Sequence, residues 1–152
     1  MKNLLFLFIF FGISQTTYAQ SEDEKAIKNL IENLFESMQK HDSTMIRACF
    51  HPSARMQVIA ENRKTGIVEI TTQKTIDNFV KSIGSLPASS QIEEKALNSE
   101  IRIDGQLATA WTKYEFYRNE KISHCGIDAF QFYKTLEGWK ILTLTYNIKK
   151  CE

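Results

Sequence analysis

The sequence predicts an α+β domain: a cone-shaped, curved antiparallel sheet of about six strands with three helices on its concave face. Two observations predict it. Apolar residues recur at helical spacing in three stretches before Gly84 and at alternate positions in six others. The turns joining the last four alternating stretches are short enough to force antiparallel neighbours. A curved sheet with three helices across one face buries all three apolar stripes at once.

The chain has 152 residues, and the first of them read as a leader. Met1-Lys2 gives a positive start, Asn3 to Ile13 holds LLFLFIFF, and SQTTYA follows with Thr17 and Ala19 at signal-peptidase spacing. That apolar run is shorter than the about 20 residues a bilayer crossing needs. No cysteine lies at the cleavage region to carry a lipid. Residues 1–19 are therefore expected to be a signal peptide, leaving a single domain over 20–152 that is exported, periplasmic or secreted. An apolar N-terminal helix kept in the fold is the alternative. Without Lys2, basic and acidic residues are equal in number. No basic run exists to neutralise phosphates, which argues against nucleic acid and, after cleavage, against a membrane surface. Plentiful aromatics and few prolines suit a packed domain rather than a disordered one.

The elements follow in order. SEDEKAIKNLIENLFESMQKHD opens with a capping box, Ser21 with Glu24, and places Ile27, Leu30, Ile31, Leu34 and Met38 on one helical face. A short second helix takes Asp42 or Ser43 as its cap, with Met45, Ile46, Cys49 and Phe50 as its apolar side, and His51-Pro52 ends it. From Ala54 the period becomes two, NRKTG turns the chain, and IVEIT returns. A third helix is expected from about Gln73 to Ile83, with GSLPASS as the main loop after it. Four strands complete the chain, at about Ala96–Ile103, Gln106–Tyr117, Lys121–Tyr133 and Trp139–Ile148. The natural pocket of this arrangement lies between the sheet and the helices.

This element order, with FHPSA at Phe50 to Ala54, WTKYEF at Trp111 to Phe116, SHCGIDAF at Ser123 to Phe130 and GWKI at Gly138 to Ile141, resembles the nuclear transport factor 2-like superfamily. The similarity covers nearly the whole mature chain and is nearest to small exported bacterial members of the lumazine-binding or SnoaL-like branch. Its motifs specify fold rather than activity, since the superfamily spans isomerases, dehydratases, polyketide cyclases, transport adaptors and pocketed proteins without known chemistry. Its ketosteroid isomerases pair an aspartate base with a tyrosine and a protonated aspartic acid. That tyrosine comes from the first helix, whose inward positions here carry neither phenol nor acid. In dehydratase-like and cyclase-like members a histidine and an aspartate in the cone move protons. The resemblance leaves His124 and Asp128 for those roles.

Alternation decides which polar residues face inward. Lys113 and Glu115 belong in solvent, which sends Ala108, Ala110, Thr112, Tyr114 and Phe116 inward and Trp111 and Tyr117 outward. Gln131 and Tyr133 outward send Phe132, Phe130, Asp128, Gly126 and His124 inward. A two-residue loop at Asn119-Glu120 contradicts those sets. A three-residue loop restores them and places Tyr114 opposite His124; a bulge near Gly126 restores Asp128 but can leave His124 outside. An aspartate inside an apolar cone must be hydrogen-bonded or hold a proton. In the last strand, either Thr143, Thr145 and Asn147 or Leu142, Leu144 and Tyr146 face inward. His41 and His51 follow helix C-termini, where capping is the leading reading.

Metal-ligand spacings, a nucleophile elbow and a phosphate loop are missing from the sequence, so no metal or cofactor is expected. Export into an oxidising compartment favours disulfides. With Glu137-Gly138 as the last loop, Cys125 falls opposite Lys150, and one residue of slack gives a Cys125–Cys151 bridge, with Cys49 buried and free. The functional reading is a small-molecule-binding domain without an established catalytic activity. Tyr114, Phe116, Phe130 and Phe132 would form its apolar wall, while Asp128, with Thr112 and His124, orients the guest. Two alternatives stand beside it. One is a metal-free dehydratase, cyclase or isomerase with Asp128 as base and His124 assisting. The other is a homodimer with a filled cone, joined through Trp111, Tyr117 and Tyr133 on the outer sheet face.

Overall fold

Helical periodicity in the first half of the chain becomes three helices in the computed structural model, which describes residues 13–73 and 75–151. These are α1 (Ile13–Gln39), α2 (Ser43–Cys49) and α3 (Asp77–Gly84). Helix α1 buries Ile27, Ile31, Leu34 and Met38 as its apolar stripe requires. Its solvent side carries the i,i+4 ion pairs Lys28–Glu24 and Lys40–Glu36. The leader reading falls on residues 1–19, of which 1–12 lie outside the described residues. The expected capping box does not start α1: the helix already runs through Ser21, so backbone carbonyls upstream occupy the N–H groups a cap would serve. At the far end His41 turns left-handed (φ 55°), and the N–H groups of His41 and Asp42 return to the carbonyls of Met38 and Ser37. Asp42 then caps α2, its carboxylate accepting the Met45 N–H at 2.9 Å. Met45 itself is exposed, and α2 buries Ile46 and Cys49 instead.

The strands are β1 (Phe50–Glu61), β2 (Val68–Gln73), β3 (Ile92–Asp104), β4 (Leu107–Arg118), β5 (Lys121–Thr135) and β6 (Gly138–Asn147). They form one sheet in the order β2-β1-β6-β5-β4-β3. The sheet is mixed rather than wholly antiparallel. Strand β6 closes the meander by lying beside β1, and the two run in the same direction. Strand β1 starts at Phe50, ahead of the expected Ala54, and Gln73 ends β2 rather than opening α3. Strand β3 starts at Ile92, four residues before the expected Ala96.

Register is set by three single-residue bulges. Asn119 and Glu120 form a two-residue turn with φ of 50° and 61°, the conformation that a tight hairpin favours. Arg118 therefore pairs with Lys121, and an extra residue at Ser123 shifts the ladder so that Phe116 faces His124, Tyr114 faces Gly126 and Thr112 faces Asp128. The hairpin thus combines the short turn with a bulge three residues before Gly126, and keeps both His124 and Asp128 on the inner face. Extra residues at Leu97 in β3 and Leu142 in β6 do the same for their strands. Inward positions of β6 are Ile141, Leu144 and Tyr146, while Thr143 and Thr145 bond Gln131 and Gln57 on the outer face.

Two contacts fasten the ends. Asp23 in α1 accepts the Trp139 indole N–H at 2.9 Å and pairs with Lys134 at 2.6 Å. Cys125 and Cys151 are joined at 2.01 Å, and Cys125 exchanges two backbone hydrogen bonds with Lys149, one position from the expected Lys150. Cys49 is free and buried, and burial pushes its thiol up to about 11. Among the described residues no helix is long and apolar enough to cross a membrane.

Candidate functional site

The inner face of the sheet divides along its strands. Toward the β5–β6 hairpin, Ala108, Ala110, Phe130, Phe132, Ile141 and Met56 are buried against α1 and α2. Phe130 and Phe132, expected as pocket wall, are at most 1 % exposed and stack on each other at 5.4 Å. They are packed core. In this half the rings fill the space between the sheet and the helices, as the filled-cone alternative has it.

Toward the β4–β5 hairpin the same face turns polar. Thr112, Tyr114 and Asp128 are all buried, with His124 partly so. Thr112 is satisfied by Ser99 on the next strand, hydroxyl to hydroxyl at 2.9 Å. Tyr114 reaches across Gly126 and donates its O–H to the Asn147 carbonyl at 2.8 Å. Only glycine permits that crossing: a methyl at position 126 would stand 2.0 Å from the Asn147 oxygen and 2.7 Å from the Tyr114 ring. The Asn147 side chain in turn accepts the Ile127 N–H at 2.7 Å. His124 lies flat on Phe116, ring centres 4.8 Å apart, and edge-on to Tyr114.

Asp128 is 3 % exposed, and its Oδ2 is buried without a hydrogen-bond partner. Burial raises its proton affinity to about 7. The carboxyl that acts on it electrostatically is Glu94, from the edge strand β3. Glu94 is half-buried, and desolvation, then the Asp128 charge and the interaction between the two carboxyls, hold its proton affinity well above the usual carboxylate range. The interaction between the two carboxyls acts to raise Glu94 and to lower Asp128, while burial raises both. Tyr114 and Tyr146 flank the pair; burial and then the two carboxyls push both phenols up, Tyr146 to about 12.

His124 belongs to the same wall but to a different electrostatic neighbourhood. Burial and the Arg118 cation lower its proton affinity, and its Nδ1 faces the Ser123 hydroxyl at 3.2 Å. Glu94, and not His124, is the titratable group that acts on Asp128. The other histidines are local: His51 Nδ1 accepts the Ser53 N–H at 3.2 Å, and His41 occupies the left-handed turn after α1. Among the described residues no group of three or more His, Cys, Asp or Glu side chains could hold a metal ion.

Ala96 is exposed although its cross-strand partner Tyr114 is only 1 % exposed. Beside it a notch of about 220 Å³ opens between Lys28, Ile31 and Glu32 of α1 and the Leu97 bulge of β3. A broader trough of about 510 Å³ lies on the opposite, outer face, around Arg102, Thr109, Trp111 and Gln131.

Comparison with known proteins agrees with this architecture. The chain is similar to a nuclear transport factor 2-like protein with a cystatin-like fold from Novosphingobium aromaticivorans, at 13% identity and a TM-score of 0.75, covering 95% of this chain and 94% of that one. It is similar to a nuclear transport factor 2-like protein from Shewanella baltica, at 18% identity and a TM-score of 0.62 over 88% and 98% of the two chains. A third likeness is to a Streptomyces avermitilis protein described as "a putative dehydratase from the NTF2-like family", at 10% identity and a TM-score of 0.66 over 88% of this chain and 99% of that one. Likeness at these identities concerns the fold. No curated protein matches the chain. A family model does, over residues 22–147, from the first polar turns of α1 to the last residue of β6. The chain therefore belongs to the family described as "Putative lumazine-binding".

Proposed function

We propose that this chain is an exported small-molecule-binding domain that holds a flat, partly aromatic guest in the polar half of its concave face. The supporting observation is the buried, unpartnered Oδ2 of Asp128 beside a wall of Tyr114, Phe116 and His124 rings. A buried acceptor left unmade costs about 1–3 kcal/mol, a cost that a guest's N–H or O–H would remove. The family description supports lumazine, a bicyclic heterocycle with ring N–H donors, as the first guest to try. The leader-like first 19 residues support a periplasmic or secreted location. Titration of the purified protein with lumazine, followed by the heterocycle's own fluorescence, tests the reading. Saturable binding that weakens about tenfold or more in Asp128→Asn, with the fold intact, is expected. Binding unchanged in that variant would remove Asp128 from the site.

A second reading has its own support. Trp111 is 56 % exposed over the outer trough, with Tyr133 and Leu107 also exposed on that face. An apolar patch of this kind suits a homodimer contact through the outer sheet face. Sedimentation of the protein and of Trp111→Glu decides it: a dimer that the substitution dissociates is expected, and a monomer in both removes this reading.

A further inference from the structure

The sheet ends in two free edges, β2 and β3, and they are built differently. Strand β3 is blunted against further pairing. Glu93, Glu94, Lys95, Glu100, Arg102 and Asp104 lie along it, a bulge at Leu97 breaks its ladder, and α1 stands beside residues 96–99. Strand β2 pairs with β1 in unbroken register from Val68 to Gln73, and its sequence, VEITTQ, holds neither lysine nor proline. Three large apolar side chains stand bare at this edge: Ile67, Val68 and Ile70 are 61, 64 and 66 % exposed. We propose that β2 is a dimerisation edge, pairing antiparallel with β2 of a second copy about a two-fold axis at Ile70, so that two sheets become one. This goes beyond both readings above, since Asp128 on β5 and the Trp111 patch on β4 lie toward the other end of the sheet.

Backbone direction carries the proposal first. The Ile67 carbonyl accepts the Asn62 N–H at 2.8 Å, so residue 67 turns its polar groups toward β1. Ile59, opposite Ile70, gives its carbonyl to the Ile148 N–H at 2.9 Å, away from β2. Bonded and non-bonded pairs alternate along an antiparallel ladder. Glu69 and Thr71 therefore face β1, while Val68 and Ile70 turn their N–H and C=O groups out of the sheet. That open ladder is a template for another strand. Charge then selects a second copy as the occupant. Pairing about Ile70 sets Ile70 against its own counterpart and places Glu69, the one charge in the strand, opposite Thr71 of the second copy. Glu69 is also drawn back within its own hairpin, where its carboxylate accepts the Asn62 side-chain N–H at 3.1 Å. Like charges thus stay apart along the new ladder, and apolar side chains meet at its centre. The contrast between the edges also limits the assembly. Once two β2 strands have paired, the joined sheet ends in β3 on both sides, and that edge is the blunted one.

Sedimentation equilibrium over a concentration series tests this, with circular dichroism to confirm folding. The native protein is expected to form dimers and nothing larger. Ile70→Lys, which sets two ammonium groups face to face at the axis, is expected to weaken association about tenfold or more. The same loss is expected when Ile70→Lys is added to Trp111→Glu, which separates this edge from the outer-face contact. Amide exchange of the native protein followed by nuclear magnetic resonance needs no variant. The Val68 and Ile70 amides are expected to be protected at high concentration and to lose that protection on dilution, while those of Glu69 and Thr71 stay protected throughout. A native monomer at every concentration overturns the inference. So does a dimer that survives Ile70→Lys, or one whose Val68 and Ile70 amides exchange freely.

Discussion

One inner face carries two kinds of chemistry, and a few residues along each strand separate them. On β5, Phe130 and Phe132 are buried in contact with each other, while Asp128, the next inward position, is equally buried with an oxygen left unpaired. On β4, Ala108 and Ala110 make room for those phenylalanines, while Thr112 and Tyr114 bond backbone and side chains across the sheet. The packed half repays its burial with apolar area. The polar half spends stability on a desolvated carboxyl pair. Stability and binding are thus assigned to neighbouring stretches of the same strands, and the two halves should respond oppositely to substitution.

Phe130→Ala should break the packed half. Removing a fully buried ring costs about 3–5 kcal/mol, read as a lower urea midpoint, and lumazine affinity in the fraction that remains folded should be nearly unchanged. A loss below 1 kcal/mol would mean that this half is loosely filled.

Opening the disulfide tests the join between the halves. The Cys125–Cys151 bridge closes a loop of sequence separation 26, for which chain entropy gives about 3 kcal/mol. It also fixes the tail just beyond Asn147, whose carbonyl holds the Tyr114 hydroxyl. Cys151→Ser should therefore lower stability by about that amount and weaken binding as well. A stability loss with binding untouched would detach the tail from the site.

The polar half should show itself in pH dependence. A carboxyl whose folded proton affinity is raised binds more protons folded than unfolded, so stability falls as pH climbs from the usual carboxylate range through about 7. The expected decline is on the order of 4 kcal/mol across that window, and Asp128→Asn should reduce it. A stability that rises over the same window would contradict the assignment. The smallest effect belongs to Asp23, which lies outside both halves and ties α1 to β5 and β6. Asp23→Asn keeps an acceptor for Trp139 and loses the Lys134 ion pair, so it should cost no more than about 1 kcal/mol, with lumazine affinity unchanged.

Much of this arrangement was legible in the residues. Three apolar stripes and six alternating stretches carry the helices and the sheet, and Asp128 stands out as a charge in an otherwise apolar inward row. Glu94 did not stand out, for a physical reason. Counting back by twos from the partly buried Ile101 puts Glu93 inward and Glu94 outward, but the extra residue at Leu97 reverses the faces. The same kind of shift at Ser123 is what lets a two-residue turn coexist with inward His124 and Asp128. Bulges leave little trace in composition, so the polar half was only partly readable, while alternation alone left the phenylalanine half open between pocket wall and packed core. The resemblance to a pocketed superfamily describes the cone; these particular phenylalanines fill half of it.

The claim at the centre is that Asp128 sits where it does for a guest and not for the fold. Urea unfolding of Asp128→Asn beside the native protein at pH 8, without any ligand, tests it most directly. Equal or greater stability in the variant is predicted, because an amide removes the buried charge and still accepts a hydrogen bond. A loss of about 2 kcal/mol or more would contradict the account, because it would make the carboxylate a structural member of a satisfied cluster.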